Sequence, residues 1–283
     1  MRIDAHQHFW ELARRPQPWL DGPETTRIRR DFTPEDLAPE TKGAGIDKTI
    51  LVQVLPDVTE TREFLATAAA TELVAGVVGW ADLTDPQLPE TLASLCEGPG
   101  GELLVGIRHL VQGEPDDDWL NRPDVRRGLG AVAETGLAYD LLTLPRQLPA
   151  AITTARALSD LTFVLDHLSK PAIATGELEP WASLIGELAA EPNVFCKLSG
   201  MVTEAKKQWR IEDLRPYTEV VIEAYGPKRI MFGSDWPVCL LQASYAEVVS
   251  AGEELTRHLT AAETAEIFGG TAHRAYRLGK HGS

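Results

Sequence analysis

The sequence predicts a single-domain α/β protein built as a closed barrel of eight parallel strands. Eight short apolar runs rich in β-branched residues recur along the chain, and amphipathic segments separate them. Strands alternating with helices form right-handed βαβ units and a parallel sheet, and eight units close into a (β/α)8, or TIM, barrel. An open doubly wound sheet is the alternative. We favour the barrel because no glycine-rich dinucleotide-binding turn follows any run, and no linker divides residues 1–283.

The predicted strands follow one another at similar intervals along the chain. In order they are RIDAHQH (2–8), TILVQV (49–54), VAGVVGWAD (74–82), LLVGIRHL (103–110), LAYDLL (137–142), FVLDHL (163–168), VFCKLSG (194–200) and RIMFGSD (229–235). Segments such as TREFLATAAAT and AAITTARALSD lie between them and predict covering helices. A chain of 283 residues is long enough to bury one core of this size.

The stretch after the first strand, about residues 9–35, is too long for a tight connection. It contains Trp10, Trp19, several prolines and a cluster of arginines. Loops of this length in compact domains are commonly active-site lids or disordered segments, and the tryptophans favour a lid packed over the barrel mouth. Aromatic residues that only anchor a surface loop are equally compatible with the pattern.

Two histidines, His6 and His8, lie one residue apart in the first predicted strand. Alternate strand residues point to the same face, so we expect both imidazoles on one face together with Asp4. Ile3 and Ala5 would then face a covering helix. Two neutral imidazoles on one face can hold a metal ion, although a His-x-His triplet alone is weak evidence.

Polar residues gather where the predicted strands end, which is where barrels of this kind carry their chemistry. Besides the histidine pair they are Gln53, Trp80, Asp82, Arg108, His109, Asp140, His167, Lys197 and Asp235. A single polar residue at a strand end is commonly a cap or a surface group. Their coincidence on one rim favours an active site.

Charge and cysteine content narrow the class of protein. The net charge of −15 would repel phosphate backbones and anionic membranes, so we expect a small-molecule substrate and neither nucleic acid nor membrane as a partner.

Three widely spaced cysteines fit neither a disulfide framework nor a C-x-x-C site. With no 18-residue apolar run and no room for a signal peptide before the first strand, we expect a cytoplasmic protein. A homo-oligomer is compatible with the sequence, which does not define the oligomeric state.

Several of these motifs resemble the amidohydrolase superfamily. The similar segments are DAHQHFW, LVQV, GIRHLVQ, LDHLSKP, CKLSGM, FGSDWPV and the closing AEIFGGTAHRAYRL. Within the amidohydrolase 2 type they look like the sugar lactonase branch, the L-fuconolactonase and L-rhamnonolactonase group. The likeness covers nearly the whole chain, and DAHQH with FGSDWPV is its specific pair. Thr271 stands where this family usually has Asn.

The resemblance implies a distorted eight-stranded barrel that hydrolyses a sugar-acid lactone. The catalytic positions of the family match His6, His8, His167 and Asp235. Members with two metals carry a bridging Lys or Glu in strand 4 and another His in strand 5. Here those places hold Arg108 or His109, and Tyr139 or Asp140. At most one divalent ion is therefore expected, with zinc first in preference and His6, His8 and Asp235 as ligands, and metal-free action is the alternative.

Hydrolysis of a lactone needs an activated water, a polarised carbonyl and a proton for the departing ring oxygen. We expect Asp235 to act as general base and later to return its proton to that oxygen, while His167 polarises the carbonyl. The residues expected to bind substrate or stabilise the oxyanion are Gln53, Trp80, Arg108, His109, Lys170, Lys197 and Trp236. Strand neighbours face opposite ways, so Arg108 and His109 can both point inward only if the strand has ended. Core packing of Trp236 is as compatible as substrate stacking.

Two other functions stay open at this point. A metal-dependent decarboxylase of the same superfamily ranks second, because the additional strand-5 histidine of such enzymes is absent. A barrel that binds a sugar acid without turnover ranks third, since all four catalytic positions are filled. The sequence does not define which lactone is used, or its ring size.

Overall fold

The computed structural model describes residues 1–279 and contains the eight predicted strands. They are β1 (Ile3–Gln7), β2 (Lys48–Val52), β3 (Val74–Gly79), β4 (Leu104–His109), β5 (Ala138–Leu141), β6 (Phe163–Leu165), β7 (Val194–Leu198) and β8 (Ile230–Phe232). Each strand pairs in parallel with the next, in the order β1 to β8. The ring closes where Gln7 pairs with Trp236 and the Asp235 backbone N–H donates to the His6 carbonyl at 2.8 Å. The predicted barrel is confirmed.

Helices cover the outside of the barrel. Within the described residues the α-helices are α1 (Pro34–Gly43), α2 (Val58–Ala69), α3 (Leu88–Cys96), α4 (Pro123–Thr135), α5 (Leu148–Ala157), α6 (Trp181–Ala189), α7 (Met201–Glu204), α8 (Ile211–Tyr225), α9 (Tyr245–Thr256), α10 (Ala261–Ala265) and α11 (Thr271–Ala275). The predicted segments TREFLATAAAT and AAITTARALSD overlap α2 and α5. No helix in residues 1–279 combines the length and the apolar character needed to cross a bilayer.

Apolar side chains form two separate layers. The larger layer lies between the strands and the helices, with members such as Leu51 and Ile107. The smaller layer lies inside the barrel, mostly toward the amino-terminal ends of the strands, with Ile3 and Ala138 among its members, and Tyr276 after α11 also belongs to it. Because apolar side chains fill this end, the polar strand-end residues are confined to the opposite mouth of the barrel.

The prediction for the faces of β1 is wrong for Ile3, Asp4 and Ala5. Asp4 does not share a face with His6: it accepts a hydrogen bond at 3.1 Å from the Tyr245 hydroxyl on the covering helix α9. Ala5 instead belongs to the interior apolar layer, as does Ile3. The pairing register of β1 and β2 shifts between Asp4 and Gln7. Such a bulge breaks the strict alternation of a strand, so both Ala5 and His6 face the interior.

The segment between β1 and α1 packs onto the barrel through aromatic contacts. Short 3-10 turns form at Pro18–Leu20 and Pro23–Ile28. Trp10 is buried, meets Trp19 and Phe32 edge to face at 5.4 Å between ring centroids, and donates from its indole nitrogen to the Arg30 carbonyl at 2.7 Å. These contacts give the segment a defined structure beside the barrel mouth.

Candidate active site

A cavity of about 500 Å³ opens at the carboxyl ends of the strands. Its polar lining consists of His8, Arg108, Gln112, His167, Lys170 and Asp235. Its apolar lining consists of Trp10, Pro18, Trp19, Val54, Leu55, Leu110, Leu142 and Val238. The segment between β1 and α1 therefore contributes part of the wall, and the cavity is large enough for a monosaccharide-sized ligand.

Four polar residues predicted from the strand ends lie together at the floor of this cavity. The Oδ1 atom of Asp235 is 3.4 Å from Nε2 of His8, 3.8 Å from Nε2 of His6 and 3.9 Å from Nε2 of His167. All four side chains are buried. His6 of β1, His8 just after it, and residues from the turns after β6 and β8 thus form one buried cluster of three imidazoles around a carboxylate.

A left-handed turn after β6 positions His167. His167, Leu168, Ser169 and Lys170 have φ angles of 52°, 55°, 59° and 52°. This conformation costs L-residues about 1–2 kcal/mol each, so the surroundings must hold it. The Trp181 indole donates to the Leu168 carbonyl at 2.7 Å, and the Ser169 hydroxyl is 2.8 Å from that of Thr143. Asp235 is left-handed as well, with φ of 58°.

The loop after β7 supports the His167 ring. The Ser199 hydroxyl is 2.8 Å from Nδ1 of His167. Gly200 follows with φ of +66°, and a Cβ atom at this position would lie 2.6 Å from that same Nδ1. Glycine is therefore required here both for its conformation and for the close approach of the imidazole.

A buried ion network lies beneath His6. The ammonium of Lys197 is 2.6 Å from Asp140, 3.0 Å from Asp166 and 3.1 Å from Nδ1 of His6. The Tyr276 hydroxyl donates to Asp140 from below, at 2.8 Å. The network fixes the His6 ring from the side opposite to the cavity.

Arg108 connects this network to the cavity wall. One of its terminal nitrogens donates to Asp166 at 2.9 Å and lies 3.3 Å from Nε2 of His6. Its Nε donates to the Gln53 side chain at 2.9 Å. The guanidinium is thus held in one orientation, with its charge beside the imidazole cluster.

Burial and neighbouring charges set the protonation of the cluster. Burial, reinforced by Lys197, lowers the pKa of His6 well below its ordinary value. Burial likewise lowers the pKa of His167 to about 4. Burial alone would raise the pKa of Asp235, but His167, His8 and His6 around the carboxylate hold it well below its usual range. The imidazoles of His6 and His167 are therefore neutral, and the Asp235 carboxylate is ionised, at neutral pH.

The donor atoms at the floor fit a single divalent ion. Nε2 of His6 and Nε2 of His8 are 3.2 Å apart, a spacing suited to two ligands with bonds of about 2 Å to one ion. Nδ1 of His8 lies 2.7 Å from the Val52 carbonyl, which requires the proton on Nδ1 and leaves the Nε2 lone pair for a metal. One ligand atom each from His6, His167 and Asp235 also lie within 4.8 Å of one another.

Five residues expected to bind substrate do not line the cavity. Two of them lie beneath it: Lys197 is fully buried in its ion pairs, and Gln53 is fully buried against Arg108. Their assignment to substrate contact is therefore corrected to support of the cavity floor. Arg108 and Lys170 do line the cavity.

The other three are aromatic residues turned away from the cavity. His109 stacks on Trp119, accepts from the Trp80 indole at 3.1 Å and is 2.7 Å from Glu114. It belongs to β4, so it points away from the side taken by Arg108. Trp236 is buried against Phe32, with 5.1 Å between ring centroids. The predicted substrate contacts of His109, Trp80 and Trp236 are corrected accordingly.

Sequence reasoning missed two members of the site. Asp166 precedes His167 in the LDHLSK segment, and on a continuing strand the two would face opposite ways. β6 ends at Leu165, so that rule does not apply to them. Tyr276 follows the last short helix, and nothing in the sequence around it indicates that it enters the barrel.

Comparison with known proteins places the chain in a family. The amidohydrolase family profile matches residues 3–278. An L-fucono-1,5-lactonase from Burkholderia ambifaria is 40% identical over 98% of this chain and 96% of its own length. An L-rhamnono-gamma-lactonase from Scheffersomyces stipitis is 26% identical over 50% of this chain and 48% of its own. A crystal structure of a Burkholderia multivorans amidohydrolase with bound zinc is 40% identical, with a TM-score of 0.91 over 98% of this chain and 99% of that one. The chain therefore belongs to the amidohydrolase family.

Proposed function

We propose that this protein is a hydrolase that opens a sugar-acid lactone, such as L-fucono-1,5-lactone, to the free acid. The observation that carries the proposal is the buried Asp235 carboxylate, surrounded by three imidazoles at the floor of the 500 Å³ cavity. The lactonases among its relatives support the same reaction class.

In the proposed reaction, Asp235 accepts a proton from a water molecule as that water attacks the lactone carbonyl. A carboxylate is a weak base, but a site that holds water in line can make it sufficient for an ester. The Ser199 hydroxyl can donate to Nδ1 of His167, which leaves a proton on Nε2 to donate to the carbonyl oxygen. The fixed charge of Arg108 stabilises the oxyanion, for which one such donor commonly contributes about 3 kcal/mol.

The same floor can hold one zinc ion, with His6, His8 and Asp235 as its ligands. Bound there, the ion would supply Lewis acidity to water and to the carbonyl group. The decarboxylase alternative is not favoured, because the strand-5 positions hold Tyr139 and Asp140.

A panel of aldonolactones, followed by proton release, tests the proposal. Hydrolysis of L-fucono-1,5-lactone or a related sugar lactone is the expected result, with metal content measured on the same sample. Aromatic and unsaturated acids, assayed for CO₂ release, form the second arm. Release of CO₂ without lactone hydrolysis would contradict the proposal.

We also infer a cytoplasmic enzyme that acts on a small molecule and does not bind nucleic acid. Cys96, Cys196 and Cys239 form no disulfide, which supports a reducing compartment. The net charge of −15 disfavours nucleic acid. Titration of three thiols in protein purified without reductant, and no retention on a nucleic-acid column, are the expected results.

A further inference from the structure

One cationic side chain that lines the cavity, Lys170, belongs neither to the imidazole cluster at the floor nor to the ion network beneath it. Lys170 lines the wall, three residues after His167 and at the end of the same left-handed turn. Within residues 1–279 its ionic neighbour is Glu204, with 3.8 Å between Nζ and Oε1, which is beyond hydrogen-bonding distance. The ammonium therefore keeps its N–H donors for a ligand in the cavity.

The other donors of the wall cannot supply a proton to a departing oxygen. The Arg108 guanidinium is occupied by Gln53 and Asp166, and a guanidinium does not give up its proton in proteins. The Gln112 side chain is a neutral amide. Lys170 is thus the transferable proton source on the cavity wall, while the imidazoles and Asp235 lie at the floor.

Residues that follow β7 lie beside both ends of the left-handed turn. Ser199 contacts Nδ1 of His167 at its start, and Glu204, the last residue of α7, neighbours Lys170 at its end. Lys170 is a quarter exposed and Glu204 about a third exposed, so the pair lies at the border of the cavity and solvent. The turn thus places the Lys170 ammonium and the imidazole assigned to the carbonyl oxygen in the lining of one cavity.

We propose that Lys170 is the general acid of the reaction, donating a proton to the lactone ring oxygen as its bond to the carbonyl carbon breaks. This inference rests on the proposed lactonase function and replaces the expected return of the proton from Asp235.

Every proton that a side chain gains or loses in this reaction is restored by the end of one turnover. Water loses a proton to Asp235 as its oxygen bonds to the carbonyl carbon, and the carbonyl π electrons move to the oxygen. The carbonyl then re-forms, the bond to the ring oxygen breaks, and that oxygen takes a proton from Lys170. The new carboxylic acid returns a proton to the Lys170 amine, and Asp235 releases its proton to solvent. The net products are the hydroxy carboxylate and one proton.

Two substitutions at Lys170 and two lactones test the proposal. Lys170→Met removes both the positive charge and the transferable proton of the ammonium. Lys170→Arg keeps the positive charge on a group that does not release its proton. L-Fucono-1,5-lactone releases an alkoxide, and dihydrocoumarin releases a phenoxide that needs little protonation. Lys206→Met, the same change at an exposed lysine of the neighbouring loop, is the matched control, and thermal melting checks the fold of each variant.

We expect both Lys170 variants to lower kcat on the sugar lactone by about 10²–10⁴-fold and on dihydrocoumarin by less than about 10-fold. The Lys206 variant should match the wild type. If Lys170→Arg keeps wild-type kcat, the side chain acts through charge alone and the proposal is overturned. Equal losses on both lactones overturn it too, since they indicate a positioning role. If the wild type does not hydrolyse dihydrocoumarin, the kcat values of Lys170→Met and Lys170→Arg on the sugar lactone test the proposal. Wild-type protein without activity on any sugar lactone would instead refute the proposed function, and this inference with it.

Discussion

The buried carboxyl group of Glu60 should make the stability of the protein depend on pH. Glu60 lies in the first turn of α2 and is 1% exposed. Its Oε2 accepts the backbone N–H groups of Val54 and Leu55 at 2.7 and 2.9 Å, and its Oε1 is buried with no hydrogen-bond partner among the described residues. Burial raises the pKa of this carboxyl from 4.5 to about 7, against the lowering effect of the two N–H groups and Arg15.

The direction of the effect follows from which state binds the proton more tightly. Between pH 4.5 and about 7 the folded protein holds the Glu60 proton, whereas the unfolded chain has lost it. The stabilisation is therefore complete below pH 4.5 and is lost as the pH rises through about 7. At about 1.4 kcal/mol per pH unit, the full difference corresponds to about 3 kcal/mol, of which about 2 kcal/mol falls between pH 5 and 8.

Urea unfolding of the wild type and of Glu60→Gln at pH 5, 6, 7 and 8 measures this contribution. The glutamine has no proton to lose, so the free energy of unfolding of the variant should gain about 2 kcal/mol relative to the wild type across this range. Glu134→Gln, at an exposed position of α4, controls for the general effect of removing a carboxylate and should show no such trend. A wild-type to Glu60→Gln difference that is constant within about 0.5 kcal/mol over the range would refute the reasoning.

Three further predictions concern the floor of the cavity and its support. Gly200→Ala should cost about 1–2 kcal/mol of stability and also lower kcat, because the new methyl group displaces His167, whereas Gly176→Ala, with φ of +78° and open space around it, should lose stability without loss of activity. Urea midpoints and steady-state kinetics compare the two, and equal activities would contradict this role of Gly200. Lys197→Met should lower the free energy of unfolding by about 3–5 kcal/mol, because it leaves two buried aspartates without their ammonium. A loss below about 1 kcal/mol would show that the ion network does not hold the floor together. Calorimetric titration with zinc should saturate at one ion per chain and weaken markedly in His6→Gln, and unchanged affinity would place the zinc elsewhere.

The barrel was predictable because its signal is repeated eight times. Short β-branched runs and intervening amphipathic segments determine a parallel closed sheet whatever the details of each loop. Barrels of this kind carry their chemistry where the strands end, which placed His6, His8, His167 and Asp235 on one rim. The structure brings these four residues together there.

Local irregularities account for what the sequence did not predict. The bulge in β1 puts Asp4 and His6 on different faces, and no residue type in IDAHQ indicates it. The left-handed turn 167–170 contains no glycine, the residue that ordinarily signals such a conformation, so the position of Lys170 relative to His167 had no sequence marker. Whether His109 entered the cavity depended on the exact end of β4, which pattern alone defines only to within a few residues.

The most direct test of the account is the hydrolysis of L-fucono-1,5-lactone by Asp235→Asn, measured together with binding of the product acid. If the carboxylate is the base that activates water, kcat falls by about 10²–10⁴-fold while the acid still binds to the folded variant. A variant that binds the acid and hydrolyses the lactone at the wild-type rate would contradict the account.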